Sequence, residues 1–387
     1  MKILHVIDKG GLNGCSNQLL QLTKLLDPKQ FESIVVSLDG TYLNQKLEDQ
    51  GTYTTVVNRS SYSSLKIIKR LRDLADYYQV DLIHCHDRVS ANFSLYAARR
   101  LNIPFIYNVH CWSFQTPRSK VARYFTKVNE RFITQQARFN VFSSNTVHRE
   151  GRIALNLPNA VVIPRGVDSG TFNPDRPSSL SKRVYGIPEN YTLVGFLARL
   201  CRQKDPLTLI RAAALALKEE RKLHFMIIGD GELKEYCMRE TRRLGIENNV
   251  SFQDIQADVP LILKLFDIYC LPSRWEGLSA GLLEAMAMRK PIITTALGAN
   301  LEIIAHRTDG MLVSHSTPEA WKNTILQLHR DPQLRKDIGR QARMLVKRYH
   351  DIHRSVATYS KLYRKLGHET EDSGRSNPSE EVLYSIQ

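Results

Sequence analysis

Two hydrophobic periods alternate along this chain. Short apolar runs at residues 3–7, 31–38, 54–57, 81–86, 104–109, 140–143 and 161–163 are bounded by turn residues and read as strands. Between them, apolar positions recur three and four apart. Leu19, Leu22 and Leu26 mark one such stretch, and residues 64–78, 90–99 and 118–138 mark others, all read as helices. Strand and helix in strict succession imply a parallel sheet covered on both faces. A stretch rich in Pro, Asn, Asp and Gly at 164–177 reads as a domain boundary. A second series follows, with strands at 192–200, 224–228, 250–252, 262–271, 291–294 and 310–313. Its helices include one capped by Asp205-Pro206 and running through Ala216, and one from Ser279 to just before Pro291. Residues 318–349 are helical with a break at Asp331-Pro332, and 352–366 form a last helix. The expected organisation is an α/β domain at 1–168, a second at 169–348, a helix at 349–366 and a disordered tail at 367–387.

Composition adds an electrostatic asymmetry. The net charge is +15, and up to Arg165 there are 22 Lys and Arg against 12 Asp and Glu. A basic first domain suggests an anionic partner or simply a solvated face. The helical stretches 64–78 and 118–138 carry much of this charge. Each fits an ordinary crossover helix, with a membrane-surface helix as the sharper alternative. No apolar run is long enough to span a bilayer, and Asp8 interrupts the opening apolar run, which therefore reads as a first strand rather than a leader. The six cysteines are scattered without a close pair, which fits a reducing cytosol and argues against a zinc site. No nucleic-acid-binding motif accompanies the charge, so nucleic acid is not an expected partner.

Candidate chemistry concentrates at turns that follow strands. Lys9-Gly10-Gly11-Leu12-Asn13-Gly14 enters a helix and could cradle phosphate, although tight turns explain most such glycines. His84, His86 and His110 stand at strand ends, where open α/β sheets bind ligands and where structural histidines are also common. Arg199 and Lys204 lie in one strand-to-helix loop, an anion clamp or two solvated cations. Gly229-Asp230-Gly231 is another tight turn. Then comes Ser273-Arg274-Trp275-Glu276-Gly277-Leu278-Ser279, leading into a helix that is apolar nearly all round except for Glu284. A lone buried carboxylate is costly without a partner. Two carboxylates therefore frame a turn whose backbone N–H groups favour anions.

Glu276 and Glu284, with seven residues between them, match the E-x7-E signature of retaining glycosyltransferases, and the ordered set of motifs resembles family 4 of nucleotide-sugar glycosyltransferases. Gly10-Gly11, His110, Ile163-Pro164-Arg165-Gly166-Val167-Asp168, Arg199 with Lys204, Gly229-Asp230-Gly231, the two glutamates and Gly298 fall in that family's order over about residues 1–365. The resemblance implies a GT-B fold, two Rossmann-like domains facing across a cleft, with the last helix crossing back to the first domain. It implies that Arg199 and Lys204 hold the donor diphosphate and that Glu284 holds the ribose hydroxyls. Glu276 and the backbone of Gly277, Leu278 and Ser279 would take hydroxyls of the transferred sugar. Gly10 and Gly11 would admit the phosphates, and His110 would contact the sugar. Arg165 stands where the family usually has Asn, and Ala198 where Gly often precedes the arginine.

The implied activity is retaining transfer of a hexose from a nucleoside diphosphate sugar, UDP-linked or GDP-mannose, to a cell-surface glycan or lipid-linked acceptor, as in polysaccharide or lipopolysaccharide biosynthesis. No cofactor or metal is expected, since the chain contains no Asp-x-Asp. The expected location is the cytoplasm, with the inner face of the membrane as an anionic partner surface. A soluble sugar acceptor on the same fold is one alternative. A non-catalytic basic binding protein on a degenerate transferase scaffold is another, and intact Glu276, Glu284, Arg199 and Lys204 argue against it.

Overall fold

The computed structural model describes residues 1–11, 14–40, 42–115, 119–254, 258–314 and 317–372, with side chains as far as Gly367. The chain divides into two compact units, Met1–Gly166 with Ile352–Gln387, and Val167–Asp351. The first contains β1 (Lys2–Ile7), α1 (Gly14–Leu25), β2 (Glu32–Ser37), α2 (Tyr42–Asp49), β3 (Tyr53–Val56), α3 (Ser64–Tyr77) and β4 (Leu82–Cys85). It continues with α4 (Arg88–Leu101), β5 (Phe105–Val109), α5 (Lys120–Gln136), β6 (Phe139–Phe142), α6 (Asn145–Leu155) and β7 (Ala160–Val162). The second contains β8 (Thr192–Leu197), α7 (Pro206–Glu219), β9 (Leu223–Ile228), α8 (Lys234–Arg243), β10 (Val250–Gln253), α9 (Val259–Leu265) and β11 (Ile268–Leu271). After these come α10 (Ala280–Ala287), β12 (Ile292–Thr295), α11 (Gly298–Ile303), β13 (Met311–Val313), α12 (Pro318–Arg330) and α13 (Pro332–Tyr349). The chain then returns to the first unit as α14 (Ile352–Asp372).

Both units are Rossmann-like. The strand orders are β3-β2-β1-β4-β5-β6-β7 and β10-β9-β8-β11-β12-β13, with every pair parallel. Strands buried on both faces need continuous apolar runs, and β9, Leu223–Ile228, is buried at every position. The order reverses between β1 and β4 in the first sheet and between β8 and β11 in the second. Such switch points leave a crevice at the carboxyl ends of the strands, where ligands bind in this architecture.

Several expectations change. α2, α6 and α9 are absent from the sequence reading. The last of these occupies the front of the apolar run 262–271, so only Ile268–Leu271 is strand. Pro260 in its first turn and the Asp258 carboxylate accepting from the Leu261 N–H start that helix. On α3 the buried stripe is Ile67, Leu71 and Ala75, while Leu65 is 80% exposed. The final helix runs six residues past Leu366, through Gly367, because a single glycine weakens a helix without ending it and no proline follows before Pro378. Residues 373–387 of the expected tail lie outside the described residues, as do Leu12, Asn13 and Arg118.

α14 is tied to the first sheet by more than apolar packing. Ile352, Val356, Leu362 and Leu366 join Ile3, Leu82, Ile106 and Val141 in one core. Between them sits a buried polar network. His84 Nδ1 lies 2.7 Å from the Tyr363 hydroxyl, and Asn108 Nδ2 donates to the Tyr359 hydroxyl at 3.0 Å. His5 Nδ1 and His86 Nε2 are 3.1 Å apart.

Candidate active site

The loops after β8 and β11, the two strands at the switch point of the second unit, hold most of the predicted residues. Glu276 is nearly enclosed, with its side chain only 7% exposed. It is bonded to the Lys204 ammonium and accepts the Ser273 hydroxyl at 2.7 Å. A charge so enclosed needs a countercharge and hydrogen bonds together, and here it has both. Glu284 was expected to be the buried one. It is only partly buried, because α10 covers Leu282, Leu283, Ala285, Met286 and Ala287 but leaves the side bearing Ala280, Gly281 and Glu284 partly accessible. The α10 N-terminus at Ser279 has no side-chain cap, so its first turn is not closed by its own sequence. Gly277, Leu278 and Ser279 are buried in the approach to it.

Asp205 does not cap α7 through its side chain. It takes a left-handed conformation (φ 49°), and its carboxylate accepts from the Arg274 guanidinium at 2.9 and 3.2 Å and from the Thr208 hydroxyl at 2.8 Å. The Arg274 N–H also donates to the Gln203 carbonyl, and the Gln203 amide to the Trp275 carbonyl. Three links besides Lys204–Glu276 therefore join the β8 loop to the β11 loop. Arg274, Asp205, Ser273 and Gln203 were missed as site residues. Pairing across seventy residues leaves no mark in local spacing, although Arg274 beside Glu276 was a visible hint.

Gly229 and Gly231 explain the glycine pair after β9. Both have φ near 150°, and a Cβ would fall 2.1 Å from the Ala198 carbonyl oxygen and 2.4 Å from that of Leu200. These glycines let the β9 turn lie directly under the loop that carries Arg199, which is itself exposed. The Leu200 N–H donates to the Asp230 carbonyl and the Leu233 N–H to the Leu200 carbonyl, fixing that loop from below. Tyr269, the second residue of β11, is fully buried and donates to the Leu197 carbonyl. Burial first, then the Glu284 and Glu276 charges, push its hydroxyl pKa well up, so it stays a neutral donor.

In the first unit, Gly10 and Gly11 follow β1. The Gly10 N–H donates to the Asp39 carboxylate at 2.6 Å, and its carbonyl accepts from Leu43. His110 follows β5. The Arg165 guanidinium lies 3.0 Å from His110 Nδ1, and a guanidinium can only donate. Nδ1 is therefore the acceptor, and Nε2 carries the proton. Burial first, with Arg165 and His84 adding to it, holds the ring well below its ordinary pKa and hence neutral. The Nε2 atom is enclosed and finds no partner among the described residues, a poised N–H donor. Arg165, whose role the sequence left open, is 5% exposed and orients this ring.

His84 and His86 do not face a ligand. With His5 they form a buried cluster under α14, with ring nitrogens within 4.8 Å of one another. The partners of those nitrogens include one another, Ser33 and Tyr363. Burial lowers the pKa of all three, that of His84 to about 4.

Residues 178–345 match the family "Glycosyl transferases group 1", and residues 12–170 match "Glycosyltransferase Family 4". The Escherichia coli UDP-Gal:alpha-D-GlcNAc-diphosphoundecaprenol alpha-1,3-galactosyltransferase is 24% identical over 86% of this chain and 89% of its own length. The putative glycosyltransferase EpsD of Bacillus subtilis is 23% identical over 80% of this chain and 84% of its own. Among solved structures, Anabaena HepE with UDP-glucose superposes with a TM-score of 0.83 at 21% identity, covering 94% of this chain and all of that one. Sucrose-phosphate synthase of Thermosynechococcus elongatus gives 0.80 at 16% identity, covering 95% and 100%. Two Rossmann-like units, ordered motifs and matches across both halves lead to one assignment: the chain belongs to the group 1, family 4 glycosyltransferases, hexosyltransferases of GT-B fold that move a sugar from a nucleotide sugar.

Proposed function

We propose that this enzyme transfers a hexose from a UDP-sugar to a lipid-linked precursor of a cell-surface glycan, at the inner face of the membrane, with retention of anomeric configuration and without a metal ion. The observation that carries the reading is the Lys204–Glu276–Ser273 cluster at the β8–β11 switch point, with exposed Arg199 and partly buried Glu284 on the same loops and helix. Support for the donor comes from the UDP-sugar in the name of the Escherichia coli relative and from the UDP-glucose bound to HepE. The same relative's name includes a diphosphoundecaprenol acceptor.

In this reading Arg199 and Lys204 face the diphosphate. Departure of the leaving group builds negative charge there, and cations already fixed in place stabilise it at little reorganisation cost. Glu276 holds Lys204 in position and, with the backbone of residues 277–279, accepts or donates to hydroxyls of the transferred hexose. Glu284, on the partly accessible side of α10, accepts from the ribose hydroxyls. In the first unit the His110 Nε2–H donates to a substrate oxygen, and Gly10 and Gly11 let phosphate approach the backbone. The acceptor hydroxyl attacks the anomeric carbon from the face that the diphosphate leaves. The carbon–oxygen bond to the phosphate breaks, the new glycosidic bond forms, and the departing phosphate oxygen takes the acceptor proton.

The test is a thermal-shift and hydrolysis panel of UDP-, GDP- and ADP-hexoses with and without EDTA, followed by lipid-diphosphate and free-sugar acceptors. UDP-sugar stabilisation, EDTA-resistant turnover and transfer to the lipid acceptor are expected. Stabilisation by GDP-mannose alone, or loss of turnover in EDTA, would overturn the donor or the metal-free reading respectively. Transfer to free sugars alone would overturn the acceptor.

A further inference from the structure

One helix of the first unit has its polar side inward and its apolar side outward. α5 buries Thr126, Glu130, Ile133 and Thr134. Glu130 is fully enclosed and accepts the Tyr107 and Ser113 hydroxyls at 2.8 and 2.7 Å. The outward side carries Val121, Tyr124, Phe125, Val128 and Phe132, between 38% and 65% exposed. Their spacing places all five on one helical face, and a crossover helix on a solvated surface has the opposite arrangement.

The surrounding surface continues the pattern. α3, α4 and α5 each cross the sheet in the same direction, so they lie on one side of it and pack in sequence. Leu65 on α3 and Tyr96 on α4 are 80% and 50% exposed. The three helices carry eleven Lys and Arg against three carboxylates, and with the enclosed Glu130 and its neighbour Arg88 set aside ten cations face two carboxylates, so the outer surface is strongly cationic. Lys120 and Arg131 are exposed along one flank of the α5 stripe. The other flank meets α4, where Asn129 bonds Asn92, and there Arg99 lies over the Phe132 ring at 5.8 Å. A contiguous apolar patch of this kind marks an interaction surface.

We propose that this face docks the enzyme on an anionic lipid bilayer, with the α5 aromatic stripe entering the headgroup layer and the flanking cations meeting lipid phosphates. The charge complementarity selects this occupant. Cations spread over three adjacent helices around an apolar stripe suit an extended sheet of phosphate groups. No helix among the described residues can cross a membrane, so the attachment is peripheral. The inference deepens the lipid-linked-acceptor reading and rests on it only for the use of the attachment, not for the binding itself.

The test is flotation of the full chain with extruded vesicles of phosphatidylcholine alone or mixed with phosphatidylglycerol. The wild-type chain floats with the anionic vesicles at low ionic strength and not with the neutral ones. Lys120→Ser with Arg131→Ser weakens partitioning by roughly thirtyfold, and Tyr124→Ser with Phe125→Ser by about tenfold or more. All four side chains are exposed, so melting temperature and UDP-sugar hydrolysis stay unchanged in both variants. Failure of the wild type to float, or flotation of both variants like the wild type, overturns the proposal. So does light scattering that shows self-association abolished by the Tyr124/Phe125 pair, which would make a second copy the occupant. Hydrolysis without flotation removes the docking surface and leaves the transferase reading intact, and flotation without hydrolysis does the reverse.

Discussion

Glu276 and Lys204 act as one unit, because removing either leaves its partner charged and enclosed. Glu276→Gln keeps the shape and deletes the charge, and a fall in donor turnover of about a hundredfold is expected. Lys204→Met should do the same, and the double variant should cost little more than either alone, measured as kcat/KM in a double-mutant cycle. Full additivity would show that the pair is not a working unit. Arg165 invites a different experiment. Arg165→Asn removes the guanidinium donor to His110 Nδ1, so the ring loses the constraint that puts its proton on Nε2. Imidazole nitrogen shifts should then report a mixed tautomer, and kcat should fall by about tenfold. An unchanged nitrogen spectrum would mean that other contacts orient the ring. The glutamate pair and the two cations were legible from spacing alone. The enclosure of Glu276 by Lys204 and Ser273 was not, because it depends on loops brought together from distant parts of the chain.

At the scale of elements, the β9 turn and α14 are the parts whose sequence and packing are most tightly coupled. Gly231→Ala puts a methyl group against the Leu200 carbonyl at a backbone angle that side chains rarely adopt. The β8 loop must move, and Arg199 and Lys204 with it. A rise in donor KM of about tenfold, together with a loss of stability of about 1–3 kcal/mol, is expected from kinetics and urea melts. An unaltered KM would separate the glycine from the cation loop. α14 was readable as an amphipathic helix, yet the hydroxyls of Tyr359 and Tyr363 are matched to Asn108 and His84, more than two hundred and fifty residues earlier. α5 shows the limit of pattern reading most clearly. Its apolar positions were taken for either a packed side or a lipid-facing one, and only the enclosed Glu130 shows which side of the helix meets the sheet.

For the whole molecule, the buried histidines make stability depend on pH. His84 titrates at about 4 in the folded chain, against an ordinary value near 6.5. Folding therefore favours its neutral form. That contribution is complete above about pH 6.5 and is lost as pH falls through the folded value. His5, His86 and His110 shift in the same direction. Asp87, raised to about 6 by burial, works against them, since its contribution is lost as pH rises through that range. Comparing wild type with His84→Asn isolates one group. The variant should be less stable at pH 7, and its urea-unfolding free energy should change less steeply between about pH 6.5 and 4.5. Equal slopes would mean that His84 is not held neutral.

The two-fold succession of strand and helix, the break between units near Gly166 and the residue types at each strand-end turn are readable from the linear chain. These are local properties, written in hydrophobic period, turn residues and motif spacing. The partner that neutralises Glu276, the ring nitrogen that carries the His110 proton and the face of α5 that turns away from the sheet emerge from three-dimensional packing. Each of these depends on partners distant in sequence, such as Lys204 for Glu276, Arg165 for His110 and Tyr107 for Glu130. Desolvation and hydrogen bonding act on what surrounds a side chain in space, and a parallel sheet places its neighbours tens to hundreds of residues away.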